Sequence, residues 1–274
     1  MGKKWLLTAL CLAMLFMGGC ASAQELEQEN PESWTYPVSL SELHKEYIRL
    51  VNRENLLPSD YVPQDLVKIK VKKTSSSAIQ MCRMVSDALD AMFAAASTDG
   101  VTLYAKSGYR SYQTQNSMYK NRLEQNNGKD DGVVAYPGAS DHQTGLGIDV
   151  VSKEWGDKPR LTTEFAKTPE AKWMAAHCAE YGFIIRYPEG KKDITKIIYE
   201  PWHLRYVGME AARYMTDNGL TLEEFTTEWQ QAKAEFDAAD DNTDQLPVPG
   251  QLPSGAVILD EVGEDGDPEV SLFR

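Results

Sequence analysis

The chain has 274 residues, 42% of them hydrophobic and 25% charged, enough for a sizeable core and incompatible with a wholly disordered chain. Its formal net charge of −13 lacks the basic face that phosphate recognition needs, which excludes nucleic acid as a partner. Four cysteines are too few for a disulfide scaffold and are not spaced as a zinc ribbon.

Residues 1–23 read as an export signal. Lys3 and Lys4 supply the positive start, and Trp5 to Met17 is an apolar run too short to span a bilayer as a helix. Two cleavage readings fit. Gly18-Gly19-Cys20 resembles a lipoprotein signal, which would make Cys20 a lipidated N-terminus and tie the protein to the membrane. Ala21-Ser22-Ala23 is a small-x-small site for a freely secreted form. Either way the protein is expected to work outside the cytoplasm. Residues 24–36 form a polar, acidic linker, 37–234 the folded domain, and 235–274 an acidic tail. That tail sets eleven acids against Arg274 alone and is expected to stay disordered.

Within the domain, Ser77 to Gln80 has a capping-box pattern. It leads into Ile79, Cys82, Val85, Leu89, Met92 and Ala96, whose spacing predicts an amphipathic helix ending at Asp99-Gly100. A short strand over Val101–Ala105 runs into Ser107-Gly108-Tyr109-Arg110. Ser111 caps a second helix through Leu123, followed by a loop over 126–132. Thr168-Pro169-Glu170 starts a helix that stops at Gly182. Phe183–Tyr187 and Ile194–Tyr199 are apolar, β-branched runs that predict a hairpin, and Thr221 with Glu224 caps a last helix. Helices and short strands mix without a regular βαβ alternation. The fold class expected is therefore α+β: a single compact domain with a small antiparallel sheet flanked by helices.

Two of the four histidines have unusual settings. His142 and Asp149 lie seven apart around Gly145 and Gly147, which oppose a continuous helix. A turn carrying His142 and leading into a strand carrying Asp149 would bring imidazole and carboxylate to one metal ion. Glu200-Pro201-Trp202-His203 follows the second apolar run. If Pro201 opens a turn of helix, His203 adds a third ligand and Glu200 lies beside the metal, unliganded and able to move a proton. By contrast, His177 shares a helical face with Trp173, Met174 and Tyr181 and reads as packing, and His44 reads as surface. Cys82 and Cys178 are the only cysteines of the folded domain, and either a disulfide or two buried thiols fits them.

Three ordered blocks carry a resemblance. They are Ser107-Gly108-Tyr109-Arg110-Ser111 with Gln115, Ser140-x-His142-x6-Asp149, and Glu200-Pro201-Trp202-His203-Leu204-Arg205-Tyr206. With the runs 50–58 and 182–191 they resemble the VanY-like zinc D-alanyl-D-alanine carboxypeptidases over roughly Leu50 to Gly208. The resemblance implies the fold shared by bacterial D,D-carboxypeptidases and the Hedgehog signalling domain. It implies Zn2+ held by His142, Asp149 and His203, with Glu200 as catalytic base and Arg110 steadying substrate oxygens. Gln115 and Ser140 match substrate-pocket positions, and Trp202 and Tyr187 are expected either to line the cleft or to pack. The partners implied are peptidoglycan stem peptides, trimmed at the terminal D-alanine by a monomer. Close alternatives are an L,D-carboxypeptidase or endopeptidase with the same chemistry, or a wall-binding domain without turnover. Lys196-Ile197-Ile198 and Gly147 depart from the family pattern without touching a ligand.

Overall fold

A computed structural model describes residues 34–243. The export signal, Cys20, most of the linker and the tail beyond 243 lie outside the described residues. In chain order the elements are α1 (Leu40–Leu43), β1 (Leu66–Lys68), β2 (Gln80–Cys82), α2 (Arg83–Thr98), β3 (Tyr104–Ser107), α3 (Tyr112–Gln125) and β4 (Gly147–Val151). They continue with α4 (Lys153–Gly156), α5 (Pro169–His177), β5 (Phe183–Ile185), α6 (Lys192–Thr195), β6 (His203–Tyr206), α7 (Met209–Asn218) and α8 (Leu222–Thr243).

The central sheet has four strands in the order β3-β4-β6-β5, every pair antiparallel. β4 is buried along its whole length. Side chains alternate across a strand, so Ile148 and Val150 enter the core while Asp149 turns to the opposite face. The core side is closed by Val85, Leu89, Met92 and Ala96 of α2, and by Trp173 and Met174 of α5. The heptad-like spacing read from the sequence thus buries the face it predicted on α2.

Local signals explain several boundaries. Ser111 Oγ accepts from Thr114 N at 3.3 Å and starts α3. Thr168 Oγ1 accepts from Ala171 N at 3.2 Å, with Pro169 in the first turn of α5. Thr221 and Glu224 form a reciprocal capping box. Glu224 N donates to Thr221 Oγ1 at 3.1 Å, and Thr221 N donates to Glu224 Oε2 at 2.8 Å.

Other expectations are corrected. The helix does not begin at the Ser77–Gln80 pattern. Gln80–Cys82 pairs antiparallel with β1, and α2 opens at Arg83, whose N–H is met by Asp65 Oδ2 at 3.2 Å. A side chain distant in sequence replaces the local cap. The first strand of the sheet lies at 104–107 rather than 101–105. The hairpin over 183–199 does not form. Lys192–Thr195 is a helical turn, Lys196 closes it in the left-handed region at φ 61°, and β5 pairs with β6 instead. His203 sits at the start of β6, not on a turn of helix. Finally, the domain boundary drawn at 234 falls inside α8, which continues to Thr243 through the first acidic residues assigned to a disordered tail.

Candidate metal centre

The antiparallel register places Asp149 of β4 directly opposite His203 of β6, and directly opposite residues share a face of the sheet. His142 comes from a 3-10 turn over Asp141–Thr144 that precedes β4. Gly145 reverses the chain at φ 70°. A Cβ there would approach Cys82 Sγ to 2.9 Å, so both conformation and space call for glycine. The turn brings His142 Nε2 to 3.5 Å from Asp149 Oδ2, while His203 Nδ1 lies 3.0 Å from Asp149 Oδ1. One ligand atom from each of the three residues lies within 4.8 Å of the others.

Those spacings fit one zinc ion. Bond lengths of about 2.0–2.1 Å in a tetrahedron put ligand atoms ~3.3 Å apart. His142 also has an outer partner suited to fixing its ring. His142 Nδ1 is 2.7 Å from the carbonyl of Gly108, which leaves Nε2 for a metal. His203 turns Nδ1 to the triad, while its buried Nε2 has no hydrogen-bond partner among the described residues and faces Asp141 Oδ2 at 4.0 Å.

Glu200 stands on a tight turn in which His203 N donates to Glu200 O at 3.0 Å, with Pro201 at the position that fixes φ. Its Oε2 lies 3.9 Å from His203 Nδ1, and its side chain is 12% exposed, close to the triad but outside it. Burial, with Asp149 adding to it, holds the Glu200 carboxyl well above the usual carboxylate range against the pull of Arg110. Burial would also raise Asp149, but His142 and His203 outweigh it and keep that carboxyl ionised below its ordinary range. Burial and Arg110 together lower His142, which favours the neutral imidazole a metal requires.

The cleft has a volume of about 650 Å3. All nine residues named in advance line it: Arg110, Gln115, Ser140, His142, Asp149, Tyr187, Glu200, Trp202 and His203. Arg110 donates to Gln115 Oε1 at 2.7 Å and to Ser107 Oγ at 3.1 Å, and Gln115 in turn donates to the carbonyl of Ala135 at 2.6 Å. No carboxylate forms an ion pair with Arg110 among the described residues, so its charge is available to a ligand. Tyr187 packs its ring 5.1 Å from that of His203, and Trp202 belongs to the core as well as to the wall of the cleft. Cys82 and Cys178 are both free and buried, the second of the two readings. His177 is half-exposed and pairs with Glu180 at 3.0 Å, away from the cleft.

Sequence reasoning missed the support behind the triad. Asp141 is fully buried and bridges two buried arginines: Arg186 Nε donates to its Oδ2 at 2.8 Å, and Arg205 contacts its Oδ1. Arg186 also forks onto Glu223 of α8 at 2.7 and 2.8 Å. Arg205 reaches the carbonyls of Tyr47 and Arg49 at 3.0 and 2.7 Å. Burial opposes the charge of Asp141, yet Arg205 and Arg186 hold its carboxyl below the usual range. An arginine two residues beyond each of His203 and Ile184 was the available signal, but pairing across such separations needs the fold.

Two imidazoles and a carboxylate set to share one ion, open towards a cleft and flanked by an unliganded glutamate, follow the plan of single-zinc hydrolases. The comparisons agree. The profile of the family described as VanY, D-alanyl-D-alanine carboxypeptidase, matches residues 78–209. YodJ of Bacillus subtilis (strain 168) is 46% identical over 182 residues, covering 65% of this chain and 66% of that protein. A D-alanyl-D-alanine carboxypeptidase of Enterococcus faecalis (strain ATCC 700802 / V583) is 32% identical over 209 residues, 72% of each chain. Among solved structures, the LdcB LD-carboxypeptidase matches at 45% identity and a TM-score of 0.61, over 65% of this chain and 84% of its own. A variant of the vancomycin-resistance D,D-pentapeptidase VanY in complex with Zn(II) matches at 32% identity and a TM-score of 0.52, over 66% and 98%. The chain spans 66% and 63% of the first curated relatives it matches. It belongs to the VanY family of D-alanyl-D-alanine carboxypeptidases.

Proposed function

We propose that the protein is a zinc-dependent D-alanyl-D-alanine carboxypeptidase that removes the terminal D-alanine from peptidoglycan stem peptides. The observation that carries this reading is the juxtaposition of His142, Asp149 and His203 with an unliganded Glu200, 3.9 Å from His203, in the cleft that Arg110 enters. His142, Asp149 and His203 hold the ion. Zinc, when bound, supplies a Lewis acid that makes water a nucleophile near neutral pH. Glu200 takes the proton from the attacking water and passes it to the departing amine. Arg110 meets the substrate carboxylate or the oxyanion with a fixed guanidinium fork. Gln115 keeps that fork in place, and Ser140, Trp202 and Tyr187 shape the pocket.

A second reading keeps the chemistry and shortens the substrate. The solved relative at 45% identity is an LD-carboxypeptidase, whereas the D,D-pentapeptidase VanY stands at 32%. Metal analysis with product analysis on defined pentapeptide and tetrapeptide muropeptides tests both. Release of D-alanine from the pentapeptide is expected, with loss of turnover but not of zinc in Glu200→Ala. Release from the tetrapeptide alone would replace the first reading by the second. Chelation is expected to abolish turnover while the fold persists; unfolding on chelation would make the metal structural.

The work of the enzyme lies outside the cytoplasm in this reading, exported by residues 1–23 and either lipid-anchored through Cys20 or secreted. The domain acts as a monomer, with 24–36 as spacer. No helix among the described residues is long and apolar enough to cross a membrane. Mass analysis of the mature N-terminus distinguishes a lipidated Cys20 from Gln24.

A further inference from the structure

The cleft extends well beyond the triad. Its volume of about 650 Å3 lies in the range that holds a drug-sized ligand, far more than one alanine fills. The outer arm runs between α3, through Met118, Arg122 and Gln125, and the segment carrying Arg160, Leu161 and Thr162. Charge is unevenly spread along the cleft, with Arg110 standing among the carboxylates at its inner end. Its lining carboxylates are Asp149 and Glu200, both at the inner end, while the outer arm is lined by Arg122 and Arg160.

The two outer arginines differ. Arg122 is neutralised by Asp131, which it grips through Nε at 3.3 Å and through a second, closer contact. Arg160 is exposed and forms no ion pair among the described residues. Its one hydrogen bond there runs from NH2 to Gln125 Oε1 at 3.1 Å, which steadies the guanidinium and leaves its other donors free. A planar fork held by a neutral side chain, with apolar Met118 and Leu161 also lining the arm, suits a carboxylate borne by a peptide.

We infer that Arg160, on the outer arm, pairs with a free carboxylate that branches from the stem peptide upstream of the scissile bond. The inference rests on the carboxypeptidase reading above. Two sources offer the same chemistry: the α-carboxylate of a γ-linked D-glutamate at the second position, and the side-chain carboxylate of a diaminopimelate at the third. The pairing sets which stem peptides bind well and leaves the chemical step to the inner end of the cleft.

Calorimetry on the zinc-loaded full chain tests this with tripeptides, which carry no terminal alanine to release. Three are needed: L-Ala-γ-D-Glu-L-Lys, the same peptide amidated at the glutamate α-carboxylate, and the amidated peptide with diaminopimelate in place of lysine. Removing the recognised carboxylate should weaken binding about fivefold, the size of an exposed ion pair. That ratio should fall towards one in Arg160→Ala, with an intermediate value in Arg160→Lys. It should also shrink as ionic strength rises. Loss on amidation at the second position, or recovery with diaminopimelate at the third, tells the two sources apart. Equal binding of all three by the wild type, absence of measurable binding, or a ratio that survives in Arg160→Ala would overturn the inference. The carboxypeptidase reading fails separately, if the same preparation releases no D-alanine from pentapeptide or tetrapeptide.

Discussion

Asp141→Asn removes a charge and nearly no volume, so its cost isolates the electrostatics behind the metal centre. Asp141, Arg186 and Arg205 are each at most 1% exposed. Breaking a buried ion pair by removing one partner costs about 3–5 kcal/mol, because the other charge is left in a medium that solvates it poorly. Two features place this case near the lower bound. Arg186 keeps its fork on Glu223, and Arg205 keeps the carbonyls of Tyr47, Arg49 and Tyr206. We expect a loss of about 3 kcal/mol, read by urea unfolding at neutral pH on chelator-treated protein so that metal binding does not enter. Arg205→Met in the same background should recover part of it, because the orphaned charge goes too. The coupling between the two changes should reach about 2 kcal/mol. The pH dependence has a definite sign. The folded Asp141 carboxyl lies below its ordinary 3.8, so its contribution is complete above that value. The gap between wild type and variant should therefore be flat from about pH 5 upwards and close as acid protonates the folded carboxyl. A loss below about 1 kcal/mol, or strictly additive effects, would show that the three charges do not form a unit.

Glu200→Gln should stabilise the metal-free protein while removing activity. The folded carboxyl lies above its ordinary 4.5, so between the unfolded and folded values the native state holds a proton that the unfolded chain has released. Wild-type stability then falls as pH rises through that window, and the glutamine variant should not show the fall; parallel curves in thermal melts of apo protein would count against it. Gly108→Ala should loosen His142, because a Cβ would meet Ile79 Cγ2 at 2.5 Å and the backbone oxygen of Gln80 at 2.8 Å. Zinc affinity should drop about 10–100-fold as the Gly108 carbonyl shifts under the ring, and competition with a chromophoric chelator that finds unchanged affinity would refute this. Burial pushes both the Cys82 and Cys178 thiols up to about 12. A thiol-directed disulfide reagent should accordingly leave them unmodified in native protein at neutral pH and react with both in denaturant. Fast native reaction of either would contradict the packing around it.

Much of the site was legible because its chemistry is local. The glycines around His142 announce a turn, and the Glu200-Pro201 step announces a break before His203. Caps such as Ser111, Thr168 and the Thr221–Glu224 pair were equally readable, since each is a contact over three residues. The errors share a cause. The 194–199 run has strand-forming composition, yet Ile197 and Ile198 line the cleft instead of joining a ladder, and β5 finds its partner in β6. Ser77 to Gln80 imitates a cap, but Gln80–Cys82 is claimed by pairing with Leu66–Lys68. Tertiary pairing overrode local preference in both places. The ion network around Asp141 was invisible for the same reason: its members lie 45 and 64 residues apart along the chain.

The reach of Arg186 to Glu223 also bears on how this family is delimited. The stretch shared with the family profile stops at residue 209, short of α8 and without the Tyr47 and Arg49 carbonyls. A shorter protein trimmed to that stretch would keep every metal-facing side chain while stripping counter-charge and carbonyl acceptors from two arginines sealed behind them. A chain cut to that stretch should therefore be less stable than one that keeps Tyr47, Arg49 and α8.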